Sequence, residues 1–179
     1  MKWSPYYVQY LTEIPAVNPR NILEIGADRG DGLRWLHEHF PNAELWSFDM
    51  ALHGLCLDFP VHYVTGQQCG MNSNLFPVFD VIIDDGGHRP YQQLASFNIL
   101  FRDHLADGGL YFIEDLHCGQ KLRWRIYSRF GGIRRRLQKL IDHMNMWVNK
   151  DRYTWPISEV RYTPQLVMIR KGMVRLEER

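Results

Sequence analysis

Long apolar runs, paired cysteines and flexible linkers are all missing from this chain. Nowhere do about 18 apolar residues follow one another, the length a membrane-spanning helix needs. The opening stretch MKWSPYYVQYLTEIP also lacks the basic-then-apolar layout of a secretion signal. These absences predict a cytoplasmic protein with no membrane partner. Three cysteines, Cys56, Cys69 and Cys118, are odd in number and too widely spaced for a CxxC knuckle, so a disulfide framework is not expected. No repeat, low-complexity tract or Pro/Gly/Ser-rich linker divides the 179 residues, and the expectation is one domain over 1–179.

What is present suffices for a core: 45% of the residues are hydrophobic and 13% aromatic. The net charge of +1 conceals an uneven distribution. Eight basic residues, from Lys121, Arg123 and Arg125 through Arg129 to Arg134, Arg135, Arg136 and Lys139, fall in a stretch with no acid, so the rest of the chain is acidic. Such a stretch is most often a solvated helical face, although it can also steer anions. The reading here is a basic lid or helical insertion over 119–150, with a helical extension over 1–20.

Between these segments apolar patterning alternates between strand and helix. Asn21 to Ile25 reads as a strand, and Leu33, Leu36 and Phe40 then recur at helical spacing. Glu44 to Phe48, Val61 to Val64 and Phe79 to Ile83 read as further strands. Leu94, Phe97, Leu100, Phe101 and Leu105 mark a buried helical stripe that Asp107-Gly108-Gly109 should terminate, and a fifth strand, Leu110 to Ile113, follows. Ile133 to Val148 looks helical, and Ile157 to Tyr162 and Leu166 to Ile169 read as a hairpin around Thr163-Pro164-Gln165. The predicted fold is α/β: a Rossmann-like, mostly parallel seven-stranded sheet with a C-terminal antiparallel hairpin, the class I methyltransferase architecture. In open sheets of this kind ligands bind beyond the carboxyl ends of the strands.

Acidic and glycine-rich segments stand at those ends. Glu24-Ile25-Gly26-Ala27-Asp28-Arg29-Gly30 gives E-x-G-x-x-x-G between a strand and a helix, where glycine permits close backbone approach and helix-start amides attract an anion. Asp49 ends the next strand and can accept from both hydroxyls of a ribose. An NAD site normally carries a second glycine where this chain has Asp28. The candidate cofactor-binding set for S-adenosyl-L-methionine is Glu24, Gly26, Ala27, Gly30, Asp49, Gln68 and Asp84. Gln67 and Gln68 can reach an adenine edge or serve as ordinary loop residues. Turn geometry and helix capping are the plainer alternatives for the glycines and for Asp49.

Asp84, Asp85, Glu114 and Asp115 lie at the ends of two strands that neighbour each other in this topology. Clustered carboxylates repel, and a hard cation such as Mg²⁺ with oxygen ligands is a natural partner. Capping roles would explain Asp84 or Asp115 singly.

The segments ILEIGADRGDGLRWLHEHFPNAELWSFDM and FDVIIDDGGHRPYQQLASFNILFRDHLADGGLYFIEDLH, with PQLVMIRKG more weakly, resemble the metal-dependent sugar O-methyltransferases of antibiotic biosynthesis. Cephalosporin hydroxylase proteins are similar too. The resemblance implies Mg²⁺ ligation by Asp85, Glu114 and Asp115, and His88 as general base, with His117 close enough in sequence to Asp115 to compete. It also implies a hydroxylated small-molecule acceptor, such as a glycoside or other diol, and allows a homo-oligomer. The pattern departs at Gly87, where the family usually carries serine, and at TGQQCG, where it carries an acid-containing GDQSD. Family members also often have a longer region before the first strand. Two other readings compete: a nucleic-acid methyltransferase using 121–139, whose binding would weaken steeply with salt, and a cofactor-binding accessory protein without turnover.

Overall fold

The computed structural model describes residues 4–51, 55–116, 138, 156–163 and 165–172. The basic stretch 121–139 apart from Gln138, the remainder of the expected helix 133–148, His117 and Cys118 lie outside the described residues. Helix α1 (Ser4–Glu13) precedes β1 (Asn21–Ile25), α2 (Asp31–His39), β2 (Glu44–Asp49), β3 (His62–Thr65), β4 (Phe79–Asp84), α3 (Pro90–Asp103), β5 (Leu105–Ile113), β6 (Ile157–Thr163) and β7 (Leu166–Lys171). The seven strands form one sheet in the order β3-β2-β1-β4-β5-β7-β6. β1 to β5 run parallel, and β7 is antiparallel to both of its neighbours. Among the described residues no helix is long and apolar enough to cross a membrane.

Alternating side chains send two apolar sets to opposite faces of the sheet. Leu23, Ile25, Ile82, Tyr111 and Ile169 pack with Phe97, Leu100 and Phe101 of α3. Ile22, Val81, Ile83 and Phe112 pack with Leu33 and Leu36 of α2 and with Tyr6 and Tyr10 of α1. Both faces of the central strands are therefore covered, which is why β4 reads as a nearly continuous apolar run.

The helix expected to continue through Leu105 to Asp107-Gly108-Gly109 instead ends at Asp103, and Leu105 opens β5 opposite Phe79. A buried cation accounts for the early stop. Lys171 donates from Nζ to the carbonyls of Arg102 (2.7 Å) and Leu105 (2.6 Å), taking over acceptors that a continuing helix would have used. The glycines fall at an irregularity in the β4–β5 ladder, where Gly108 has φ +80°.

The register prepares the site. Ile25 pairs with Asp84, and Asp84 with Ile113, so the next residues, Gly26, Asp85 and Glu114, leave the sheet at one level. The ladder extends one step further through Asp85 N–H to Ile25 O (3.0 Å) and Glu114 N–H to Asp84 O (3.0 Å).

Candidate active site

The loop after β1 can turn only because of its glycines. Gly26 has φ +86°, and a Cβ there would overlap the Asp85 carbonyl and stand 2.8 Å from Gly86 Cα. Gly32, in the first turn of α2, lies so close to Glu24 that a Cβ would meet its carboxylate, with Cδ at 2.8 Å. Glu24 is buried beneath the helix start, and Gly30, at φ +79°, is the N-cap.

Asp49 joins two loops. Its Oδ2 accepts from the amides of Ala27 (2.9 Å) and Asp28 (3.2 Å), and Oδ1 accepts from Met50 N–H (2.6 Å). It thus shapes the glycine loop as well as facing a cleft of about 590 Å³ lined by Gly26, Asp49, Met50, Gln68, His88 and Tyr91, among others. A second cavity of about 330 Å³ adjoins it, sharing Gly26, Asp28 and Asp85, and reaches Glu24, Ala27, Glu114 and Asp115.

Asp84 and Gln68 differ from expectation. Asp84 is 1% exposed and faces the sheet interior, where it accepts from Gln68 Nε2 (2.9 Å), Tyr111 OH (3.2 Å), Gly86 N–H (3.4 Å) and the Ser96 hydroxyl. A buried carboxylate at a strand end needs such donors, which turns it away from both cavities. Burial pushes its pKa up to about 7, against the pull of those hydrogen bonds. Gln68 borders the larger cleft, yet its amide is committed: Nε2 bridges Asp84 and Ser96 (2.9 Å each), and Oε1 accepts from Gly87 N–H (2.8 Å). It therefore fastens the loop after β3 to the loop carrying His88.

Removing the centre of this network should be costly. Asp84→Ala removes the acceptor shared by Gln68, Ser96 and Tyr111; Gln68 keeps Ser96 Oγ and Ser96 keeps the Gln92 and Gln93 carbonyls, so the Tyr111 hydroxyl bears the loss and about 1–3 kcal/mol of stability should go. For a domain of this size a calorimetric melting point lower by about 2–12 °C is expected. A change within 2 °C or so would mean that the network adds little beyond its packing.

Of the acids beyond β4 and β5, Asp85 and Asp115 come together with His88, and Glu114 lines the same cavity outside that cluster. Oxygen or nitrogen atoms of Asp85, His88 and Asp115 lie within 4.8 Å of one another, and His88 Nε2 stands 3.4 Å from Asp115 Oδ2. Asp85, Glu114 and Asp115 line the same cavity. Two or three carboxylates from separate loops, two of them partly exposed, fit a hard divalent cation, and the imidazole within reach makes His88 either a further ligand or the base beside it.

Tyr6 and Tyr10 of α1 were not singled out from the sequence. Tyr10 OH donates to Glu114 Oε1, and Tyr6 OH donates to Asp115 Oδ1 at 2.7 Å. Burial, with the nearby carboxylates adding to it, holds both phenols far above their usual pKa, so they remain protonated donors. Gln93 of α3 also reaches the site, donating from Nε2 to Glu114 O at 3.0 Å. The one signal in the sequence was the i, i+4 spacing of the tyrosines, which is equally what core aromatics show.

The sheet order, the glycine loop after β1 and the acid ending β2 together define a class I methyltransferase fold. No model of a known protein family matches the sequence. The chain is similar to the mycinamicin VI 2''-O-methyltransferase of Micromonospora griseorubida, at 27% identity over 143 residues, 73% of this chain and 34% of that protein. It is 30% identical to the demethylmacrocin O-methyltransferase of Streptomyces fradiae, again over 143 residues, with 73% and 34% of the two chains covered. The chain thus spans about one third of the length of these curated relatives. Among solved structures, the MycE methyltransferase of the mycinamycin biosynthetic pathway, in complex with Mg and SAH, superposes with a TM-score of 0.76 at 23% identity, covering 95% of this chain and 48% of that one. An SAH-bound methyltransferase of Podospora anserina gives 0.64 at 15% identity, with 97% and 80% covered.

Proposed function

We propose that this chain transfers a methyl group from S-adenosyl-L-methionine to a hydroxyl of a sugar or other small-molecule diol, with Mg²⁺ held by Asp85, Glu114 and Asp115. The observation that carries the reading is the meeting of two cavities at Gly26 and Asp85, one bordered by Asp49 and His88, the other by Glu114 and Asp115. Similarity to the mycinamicin VI 2''-O-methyltransferase and the demethylmacrocin O-methyltransferase supports transfer to an oxygen of a small-molecule acceptor.

Each residue has a distinct task. The loop from Gly26 to Gly30, kept in shape by Asp49, would receive the cofactor, with the start of α2 offering amides to its carboxylate. Mg²⁺, when bound, would supply Lewis acidity that eases ionisation of an acceptor hydroxyl. His88 would take the hydroxyl proton on its imidazole, which lies at the junction of cleft and acids. Gln68, through Gly87 N–H, would keep the His88 loop in register with the cofactor cleft. Displacement at a methyl group is in line, so holding both reactants is itself a large part of the task.

The test begins with binding. S-adenosylhomocysteine should bind the wild-type protein, and Asp49→Ala should weaken it by about 10-fold or more, since a lost charge-assisted hydrogen bond costs roughly 1.5–3 kcal/mol. Calorimetry that detects NAD binding and no S-adenosylhomocysteine binding would sink the cofactor assignment. Screening glycosides bearing vicinal hydroxyls, with and without Mg²⁺, then tests the acceptor class.

A further inference from the structure

We infer that Tyr6 and Tyr10 of α1 are positioning residues that orient the Asp115 and Glu114 carboxylates for a divalent cation. The inference rests on the metal-dependent reading above and extends it to a helix distant in sequence from the site. Residues four apart share one helical face, and here that face lies across the end of β5. Both side chains are buried, Tyr6 at 3% and Tyr10 at 1% exposure. Tyr10 is fixed edge-on to Phe112, with centroids 4.9 Å apart, and lies 6.0 Å from Trp35, so its hydroxyl has little freedom to look elsewhere.

Packing alone would be met by any acceptor for two buried hydroxyls. Instead each phenol takes one of two consecutive acids. The Tyr6 hydroxyl also accepts from Asp115 N–H at 3.2 Å while donating to Oδ1 of the same residue. One oxygen thereby spans the amide and the carboxylate of a residue held at φ +55°, a left-handed conformation that a non-glycine side chain adopts at a cost.

Charge separates an orienting role from a neutralising one. A lysine or arginine at either position would cancel the negative charge a cation needs. A neutral phenol fixes a carboxylate oxygen and leaves that charge in place, as hydrogen-bonding partners behind metal ligands commonly do. Among the described residues lining this cavity, Arg29 is the one basic side chain, against Glu24, Asp28, Asp31, Asp85, Glu114 and Asp115.

The experiment compares Tyr6→Phe, Tyr10→Phe and the double variant with wild type in the full chain, using Mn²⁺ as probe. Tyr7→Phe is the control: that ring stacks on Trp35 at 4.5 Å, a contact phenylalanine keeps. Free and bound Mn²⁺ are measured by electron paramagnetic resonance without cofactor, and S-adenosylhomocysteine binding by calorimetry. Tyr6→Phe and Tyr10→Phe should each weaken Mn²⁺ binding about 10- to 100-fold, the usual loss when a partner behind a ligand is removed. Cofactor affinity should stay at the Tyr7→Phe level. Unchanged or tighter Mn²⁺ binding overturns the inference, even if thermal stability falls. If Tyr10→Phe does not fold, Tyr6→Phe decides by the same criterion. Wild-type protein that binds no Mn²⁺ overturns the metal reading and this inference together, whereas binding unaffected in the variants overturns the inference alone.

Discussion

Methyl transfer should slow by about 10²- to 10⁴-fold when His88 is replaced by Gln, the usual loss for a general acid or base. The acids that surround it should behave differently. EDTA or Glu114→Ala should abolish transfer yet leave S-adenosylhomocysteine affinity largely intact, because Glu114 borders the smaller cavity and not the cofactor cleft, which Asp85 lines as well. His88 lies close enough to Asp85 and Asp115 to join a metal shell, so turnover alone does not separate ligand from base. Mn²⁺ affinity does. A base leaves it within about twofold, whereas loss of a first ligand should weaken it at least as much as the roughly 10- to 100-fold seen for partners behind ligands. Near-normal rates for His88→Gln, or full activity in EDTA, would falsify this division of labour.

Gly26→Ala should damage fold and cofactor site together. The methyl group would need a left-handed backbone, costing roughly 1–2 kcal/mol, and would overlap the Asp85 carbonyl in a place where no flexible side chain can yield. Overpacking adds about 1–3 kcal/mol, so a total near 2–5 kcal/mol and a melting point lower by about 4–20 °C are expected. Because Asp85 would have to move, Mn²⁺ affinity should fall in parallel with S-adenosylhomocysteine affinity. A variant with wild-type melting and binding would show that the loop can open at no cost. Gly108→Ala is the comparison: φ is again positive, at +80°, but nothing stands within 4 Å of the added carbon, so the conformational cost appears alone.

Strand positions were legible because burial on both sheet faces writes itself as short apolar runs ended by Gly, Pro or Asp. All seven expected strands form, and β1 occupies the expected residues, Asn21–Ile25. The end of α3 was not legible. Leu105 continues the helical spacing, and the lysine that takes the terminal carbonyls is 66 residues away in sequence. Periodicity reports which face of a segment is apolar. It cannot report a hydrogen bond brought by the last strand.

The site divides in the same way. By itself the sequence determined which chemistry is gathered: glycines where the first strand must turn, an acid ending the second, and the Asp84-Asp85 and Glu114-Asp115 pairs at adjoining strand ends. These follow from local rules, since a strand delivers its last residue to a known edge of a parallel sheet. Only the tertiary structure decided what each side chain faces. Asp84 and Asp85 are neighbours in the chain, yet alternation across the pleat buries one under Gln68, Ser96 and Tyr111 and leaves the other at the cavities. Tyr6 and Tyr10 reach Asp115 and Glu114 across 109 and 104 residues because α1 folds back over β5. Contacts at such separations depend on how whole elements pack, and no local spacing encodes that.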